Sequence, residues 1–310
     1  MVNVAAAPSA GPPSLGPDQV RAERSEAHRG PQAASERTGP ERSEGARPLV
    51  VKLGGGSGLD VDAVLRDLAA RKEPWVLVHG GNAELNEVSR KMGHEPRFVT
   101  SPSGHTSRVT DAATIGLIQM VYRGRINNDL VLRLQRLGVN AVGLSGVDGR
   151  IWEAERKEAV RVVENGRKFL LRDDQTGKIV RVNAALLRLL LDNGYRPVLT
   201  LPALASDGSA VNVDGDRAAA AVAAALGAHD LVILSNVPGL LRDVEDPTSV
   251  VASIPRADLE SDTFAQGRMK KKLLGAQEAL DGGVMRVVLG SANRERPVTD
   301  ALAGVGTVIQ

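Results

Sequence analysis

The chain has 310 residues, 39 Lys and Arg against 37 Asp and Glu, a formal charge of +2 at pH 7, and no cysteine. Near-neutral charge excludes the electrostatic footprint of a nucleic-acid binder, and the missing thiols exclude disulfides, a thiolate zinc site and a cysteine nucleophile. Aromatic residues make up only 2%, so the core must be built from Val, Leu, Ile and Ala, the composition of parallel sheets covered by helices.

Residues 1–46 are mostly Ala, Pro, Gly, Ser, Arg and Glu, and Glu23-Arg24-Ser25-Glu26 recurs as Glu41-Arg42-Ser43-Glu44. Such a stretch cannot bury enough apolar surface to offset its ordering entropy, which predicts a disordered N-terminal extension. A regulatory tail and a dispensable extension are both compatible with it. The first thirty residues hold no continuous apolar h-region, and no later apolar run is long enough to span a bilayer. A cytoplasmic protein without membrane or nucleic-acid partners is expected.

From Leu49 the pattern becomes strand–helix–strand. Leu49–Leu53 reads as a buried strand that carries Lys52 and ends in Gly54-Gly55-Gly56-Ser57-Gly58. Glycines there let backbone N–H groups approach an anion, and the next helix can aim its positive end at it. Neither a Walker A loop nor G-x-G-x-x-G is present, so an anion cradle and a plain strand-to-helix turn both remain open. Val61, Val64, Leu65 and Leu68 share a helical face, and Trp75–Val78 reads as the next strand. It ends at His79-Gly80-Gly81-Asn82, before a helix through about Met92. Two successive glycine-ended strands place both turns at one carboxyl edge of a parallel sheet, where α/β proteins bind ligands.

The polar loop 97–111 holds Arg108 just before a helix cap at Thr110 or Asp111. This arginine could grip a carboxylate bidentately or cap loop carbonyls. His105 reads as a solvated loop histidine. A helical region over about 111–137, broken near Gly124, precedes a strand at Asn140–Gly146 that ends in small residues. Val160–Glu164, Asn165-Gly166 and Lys168–Arg172 give a hairpin signal, with Lys178–Val182 as a strand extending it. The basic side chains here suit either a solvated surface or a dock for an acidic partner.

A helix at Asn183–Leu191 and a strand at Pro197–Leu201 lead to Asn212-Val213-Asp214-Gly215-Asp216-Arg217 and an Ala/Val helix to Leu226. Asp214 and Asp216 are favourable first-turn acids, and the alanines let this helix lie close to the sheet, so the acids should sit at its edge. The strand Asp230–Ser235 runs into Asn236-Val237-Pro238-Gly239-Leu240-Leu241. Gly267-Arg268-Met269-Lys270-Lys271-Lys272 then opens a helix to about Asp281. Three lysines at a helix N-terminus oppose its dipole unless an anion neutralises them. Arg286–Leu289 and Gly306–Ile309 supply the final strands.

A lysine before a glycine turn, a second glycine turn, an Asn/Asp cluster and a lysine-rich helix start form the inventory of phosphoryl transfer: cations for spreading negative charge, N–H groups for phosphates and a carboxylate to orient the cations. The order of these motifs over about residues 48–310 resembles the amino acid kinase family, in its acetylglutamate kinase branch. Ser101–Asp111 and Arg161–Lys168 are similar to the members of that branch called [LysW]-aminoadipate kinases. Those enzymes phosphorylate the side-chain carboxylate of α-aminoadipate held by a small acidic amino-group carrier protein, in lysine biosynthesis. Relatives accept carrier-bound glutamate for the arginine route.

The resemblance implies an α/β fold, a three-layer αβα sandwich around an open, mainly parallel sheet of the carbamate kinase-like kind. It implies one domain over 47–310, with an acyl-acceptor lobe at about 47–205 and an ATP lobe at about 206–310. The members are usually homodimers or larger. ATP would be the phosphoryl donor, with Mg²⁺ entering on the nucleotide and no metal site assigned to side chains. Lys52 and Lys272 would stabilise the transferring group and Asp216 would orient both lysines. Within the family's G-x-M-x-x-K pattern, Lys272 is selected over Lys270 and Lys271. Gly55, Gly80 and Gly81 would offer N–H groups, while Arg108 and Asn212 would hold the substrate's carboxylate end. Gly54, Gly55, Ser235, Asn236, Gly239 and Met269 would line the ATP site. Asn-Val-Asn-Ala-Asp of acetylglutamate kinases is replaced here by Asn212-Val213-Asp214-Gly215-Asp216. The loop before Arg108 is also longer than theirs, and no third glycine follows Gly81. The first two departures favour the carrier-protein members. An N-acetylglutamate kinase is the alternative within the branch. A non-catalytic nucleotide- or amino-acid-sensing module is the alternative of another class, and the loss of catalytic cations would mark it.

Overall fold

Strand β1 (Leu49–Leu53) is buried along its whole length, and its side chains alternate between two cores, as a two-residue period requires. Val50 joins one hydrophobic cluster, whereas Leu49, Val51 and Leu53 join the other. A computed structural model gives the structure of residues 47–310, except 103, 105, 165, 166 and 260–267. The readings made for the extension 1–46, His105, the Asn165-Gly166 turn and Gly267 lie outside the described residues.

Eight strands form the main sheet in the order β14 (Ser253–Ile254), β16 (Thr307–Ile309), β15 (Arg286–Ser291), β13 (Asp230–Ser235), β1, β2 (Trp75–His79), β10 (Arg196–Thr200) and β5 (Ala141–Ser145). The six strands from β15 to β5 run parallel, and β16 turns back against β15. The alternation of β1 recurs in its neighbours. Val76, Val78, Leu231 and Ile233 face one side, and Trp75, Leu77, Val232 and Leu234 the other.

Helices α1 (Val61–Ala69), α2 (Asn82–Lys91), α3 (Ala112–Ile118), α4 (Asn128–Arg136), α5 (Ala184–Asp192), α6 (Gly215–Leu226), α7 (Arg268–Asp281) and α8 (Pro297–Leu302) cover both faces. Val64, Leu65 and Leu68 of α1, Leu130 and Leu134 of α4, and Val298 of α8 belong to the smaller core. The remaining helices bury Leu85, Ile118, Leu187, Ala219 and Ala276 in the larger one. The chain is thus an α/β protein of three αβα layers around a mainly parallel sheet, as the composition and motif order lead one to expect.

Two smaller sheets complete the structure. One has the order β12 (Ala210–Val211), β11 (Ala203–Ala205), β6 (Trp152–Arg156), β9 (Gly177–Val182), and the other β4 (Thr106–Arg108), β3 (Phe98–Thr100), β7 (Val160–Glu164), β8 (Arg167–Leu171). The hairpin β7–β8 forms as expected, with Val160 opposite Leu171. The strand at 177–182 does not extend it. β9 pairs antiparallel with β6, and in this pairing Ile179 and Val182 pack against the larger core. The helical region over 112–136 also differs from the sequence reading. It is not broken at Gly124 but continues through a π-helical segment, Gln119–Asn127. The wider i→i+5 bonding absorbs the irregularity without ending the helix. Among the described residues no helix is long and apolar enough to cross a membrane.

Candidate active site

Lys52 shares the parity of Val50, so the pleat of β1 turns it toward the face that α6 covers. Buried alanines, Ala218, Ala219, Ala220 and Ala223, let α6 lie close on that face. Asp214 caps the helix, its Oδ1 accepting from the N–H groups of Asp216 at 3.0 Å and Arg217 at 3.2 Å. The cap leaves Asp216 in the first turn, aimed at the sheet edge. Its Oδ1 lies 2.7 Å from Lys52 Nζ and its Oδ2 3.2 Å from Lys272 Nζ. Lys52 is 7% and Asp216 8% exposed. One buried carboxylate therefore serves one buried and one half-buried ammonium group.

Burial alone would raise the Asp216 carboxyl pKa. The charges of Lys52 and then Lys272 reverse that and hold it far below the ordinary carboxylate range. Burial pulls the Lys272 ammonium below its ordinary value, opposed by Asp216 and reinforced by Lys52. The neighbouring lysine has another role: Lys271 Nζ donates to Ser107 Oγ at 3.0 Å, linking α7 to β4.

The two glycine turns touch backbone to backbone beside this triad. Gly54 N donates to Leu234 O at 2.9 Å, Gly80 N to Leu53 O at 3.0 Å and Ala83 N to Gly55 O at 2.8 Å. A Cβ on Gly55 would stand 2.2 Å from Gly81 N, and one on Gly81 would stand 2.3 Å from Ile126 Cδ1. Only glycine fits at Gly55, where the clash is with backbone; at Gly81 the side chains of Ile126 and Tyr122 would have to move. Gly81 also starts α2 without a side-chain cap, which leaves the orphan N–H groups of a helix N-terminus beside the turn. Gly56, by contrast, has open space where a Cβ would be.

Arg108 is buried; its NH2 group donates to Asn86 Oδ1, and its guanidinium stacks 4.8 Å over the Phe98 ring. Burial lowers its pKa. Asn212 Nδ2 donates to Thr110 Oγ1 at 3.0 Å, while Thr110 N donates to the buried Asp174 Oδ2 at 2.9 Å. Arg108 and Asn212 are thereby fixed through Asn86, Thr110 and Asp174; the sequence reading named Thr110 only as a candidate helix cap and did not single out the other two. Ser235 ends β13 beside Gly54, whose Cβ would lie 3.7 Å from Ser235 Cα. Asn236 is exposed and Met269 packs against the larger core. A Cβ on Gly239 would meet Thr307 Oγ1 at 2.7 Å, so packing on β16 already accounts for that glycine.

Among the described residues no group of three or more His, Cys, Asp or Glu side chains could hold a metal ion. The cations on offer are ammonium groups. A buried and a half-buried lysine against one buried carboxylate leave a positive charge that suits an anion, and the adjoining N–H-rich turns suit its oxygens. Such a donor set fits a nucleotide's transferring phosphoryl group, with Mg²⁺ carried on the phosphates.

Comparison with known proteins bears on this geometry. The sequence pattern of the amino acid kinase family matches residues 47–291. The chain is 58% identical to the [LysW]-aminoadipate kinase of Deinococcus radiodurans, over 84% of this chain and 91% of that one. It is 50% identical to the [LysW]-aminoadipate kinase of Thermus thermophilus, over 84% of this chain and 100% of that one. Among solved structures, N-acetylglutamate synthase from Neisseria gonorrhoeae with coenzyme A and N-acetyl-glutamate superposes with a TM-score of 0.67 at 24% identity. That match covers 85% of this chain but only 59% of the synthase chain, and carries the fold alone.

Proposed function

Because the chain belongs to the amino acid kinase family, we propose that it transfers the γ-phosphoryl group of ATP to the side-chain carboxylate of α-aminoadipate carried on a small acidic LysW-like protein. The observation that carries the phosphoryl-transfer step is the Lys52–Asp216–Lys272 triad against the paired glycine turns. The acceptor follows from the two relatives of that name, matched over most of both chains. Carrier-bound glutamate is the second acceptor within this proposal, and lysine biosynthesis its setting.

A carboxylate acceptor is already ionised near neutral pH, so the reaction needs no general base. One acceptor oxygen bonds to the γ-phosphorus as the bond to the bridging oxygen of ADP breaks; the products are an acyl phosphate and ADP. Lys52, on the acceptor strand, meets the transferring group from one side. Lys272, on α7, meets it from the nucleotide side. Asp216 keeps the two ammonium groups from repelling each other and sets their directions. The N–H groups of Gly55 and Gly81 receive charge on the equatorial oxygens, that of Gly80 being held instead by Leu53 O, and Arg108 and Asn212 hold the acceptor. The segment 47–205 thus supplies the acceptor half and 206–310 the nucleotide half. Oligomerisation as a homodimer or larger, in the cytoplasm, belongs to the same proposal.

Exposed Arg161, Lys168 and Arg172 on and beside the hairpin β7–β8 offer a basic face to the acidic carrier. Arg181, on β9, is engaged by Glu153 and contributes less. Hydroxylamine trapping of the acyl phosphate tests the acceptor: carrier-bound aminoadipate should give the hydroxamate, with carrier-bound glutamate and free N-acetylglutamate as competitors. A marked preference for the free amino acid would overturn the carrier assignment.

A further inference from the structure

His79 closes β2 immediately before Gly80, is 1% exposed, and has no part in the phosphoryl-transfer step. Its Nδ1 lies 3.0 Å from Gly80 O, and its Nε2 lies 3.0 Å from Asn127 Nδ2. Asn127, itself fully buried, also donates from Nδ2 to Val198 O at 2.8 Å. With both amide protons of Asn127 given away, Nε2 of His79 is the acceptor and Nδ1 carries the proton donated to Gly80. The imidazole is neutral: burial drives its pKa down to about 4, against the Gly80 hydrogen bond and with the charge of Lys52. A Cβ on Gly143 would stand 2.1 Å from Asn127 Oδ1, so β5 too leaves room for this amide.

Asn127 ends the π-helical segment, and Tyr122 of the same segment supports the other side of the same turn. Tyr122 is buried, its hydroxyl donates to Asn82 Oδ1 at 3.0 Å, and its ring and Ile126 fill the space beside Gly81. Tyr122 and Asn127 are five residues apart. In an α-helix such residues point about 140° apart at 3.6 residues per turn. The wider turn of a π-helix, with its i→i+5 bonding, narrows that angle. The helical irregularity is what allows one segment to hold His79 and Asn82 together, on both sides of Gly80 and Gly81.

We propose that the π-helical segment Gln119–Asn127 buttresses the second glycine turn, with Asn127 and His79 as positioning residues that fix the Gly80–Gly81 peptide for the transferring phosphoryl group. The functional half rests on the assignment of Gly80 and Gly81 to that group; the arrangement itself does not. Two measurements test it. Nitrogen-15 NMR of the imidazole in the full chain should show a neutral Nδ1–H tautomer for His79 throughout pH 5–8, and Asn127→Ala should abolish that signature. Steady-state kinetics should show His79→Asn, whose amide can still donate to Gly80 O, keeping most of the turnover. His79→Leu should lose kcat by up to about 10²-fold with the KM for ATP nearly unchanged, the scale of a 1 Å misplacement.

An Nε2–H tautomer in the wild type, or one unaffected by Asn127→Ala, overturns the arrangement. Unchanged turnover in His79→Leu overturns the positioning role. So does an equal loss in His79→Asn and His79→Leu that follows their melting temperatures. If the wild type forms no acyl phosphate from any carrier-bound acid, the acceptor assignment falls, while the tautomer measurement still decides the buttress.

Discussion

Lys52 Nζ stands 2.7 Å from Asp216 Oδ1, and Asp216 is the same carboxylate that Lys272 reaches from α7. A shared carboxylate makes the two lysines interdependent: Asp216 offsets the charge of both. Replacing Lys52 by Met keeps most of the buried stem but removes the charge. Turnover should fall about 10²–10³-fold, the cost of removing one donor aimed at transition-state charge. ADP release with saturating acceptor measures it, and unaltered turnover would sink the phosphoryl-transfer assignment.

Asp216→Asn should cost stability as well as activity. It leaves a buried and a half-buried ammonium group without their counter-charge, and breaking a buried pair costs about 3–5 kcal/mol. Urea unfolding at neutral pH reads the loss directly. A second substitution, Lys272→Met, should recover part of it, since it removes one of the stranded charges.

Gly55→Ala tests the contact between the glycine turns. The added Cβ would stand 2.2 Å from Gly81 N, against backbone that cannot rotate away. The turns must separate, costing about 1–3 kcal/mol by overpacking, with turnover lost alongside. Gly56→Ala enters open space and is the matched control; it should leave the melting temperature nearly unchanged.

Encounter with an acidic carrier should be sensitive to salt. Raising ionic strength shortens the screening length, so kcat/KM for the carrier-bound acceptor should fall while kcat stays level. Replacing exposed Arg161, Lys168 and Arg172 by Gln should flatten that dependence. If the slope is the same in the triple variant, the carrier docks elsewhere.

His79 gives a pH signature of folding. Its pKa is about 4 in the folded chain against an ordinary 6.5, so the unfolded state binds the extra proton first. Stability contributed by this residue is therefore complete above pH 6.5, falls as pH drops from 6.5 to about 4, and is level below. The full span is worth about 3 kcal/mol at 1.36 kcal/mol per pK unit. Urea unfolding at pH 7 and pH 5 should show the loss in the wild type and much less of it in His79→Asn.

What sequence alone discloses divides by distance along the chain. β1, β2 and their glycine turns are legible because short continuous apolar runs and turn residues are local signals. Lys52 and Lys272 stand out because charge at those places conflicts with burial and with the helix dipole. The supports of Arg108 and Asn212 do not. Arg108 leans on Asn86, 22 residues away; Thr110 on Asp174, 64 away; and Asn212 on Thr110, 102 away. No local pattern announces such pairs. The pairing of β9 with β6 is hidden for the same reason, since the nearer hairpin satisfies every local rule. Asn127 carries one detectable cue, a polar residue on an otherwise apolar helical face, but its partner His79 is 48 residues distant.

The approach of α7 to α6 has a consequence for the triad. Gly275 has no Cβ where one would lie 3.3 Å from the backbone of Asp216, and just beyond α7 a Cβ on Gly282 would lie 2.5 Å from Ala224 Cβ. Seven residues apart, these two gaps let the helices seat against each other at both ends. Lys272 and Asp216 are consequently tied by helix packing as well as by their ion pair. A methyl group at Gly275 should thus displace Asp216 and, through it, both lysines of the triad.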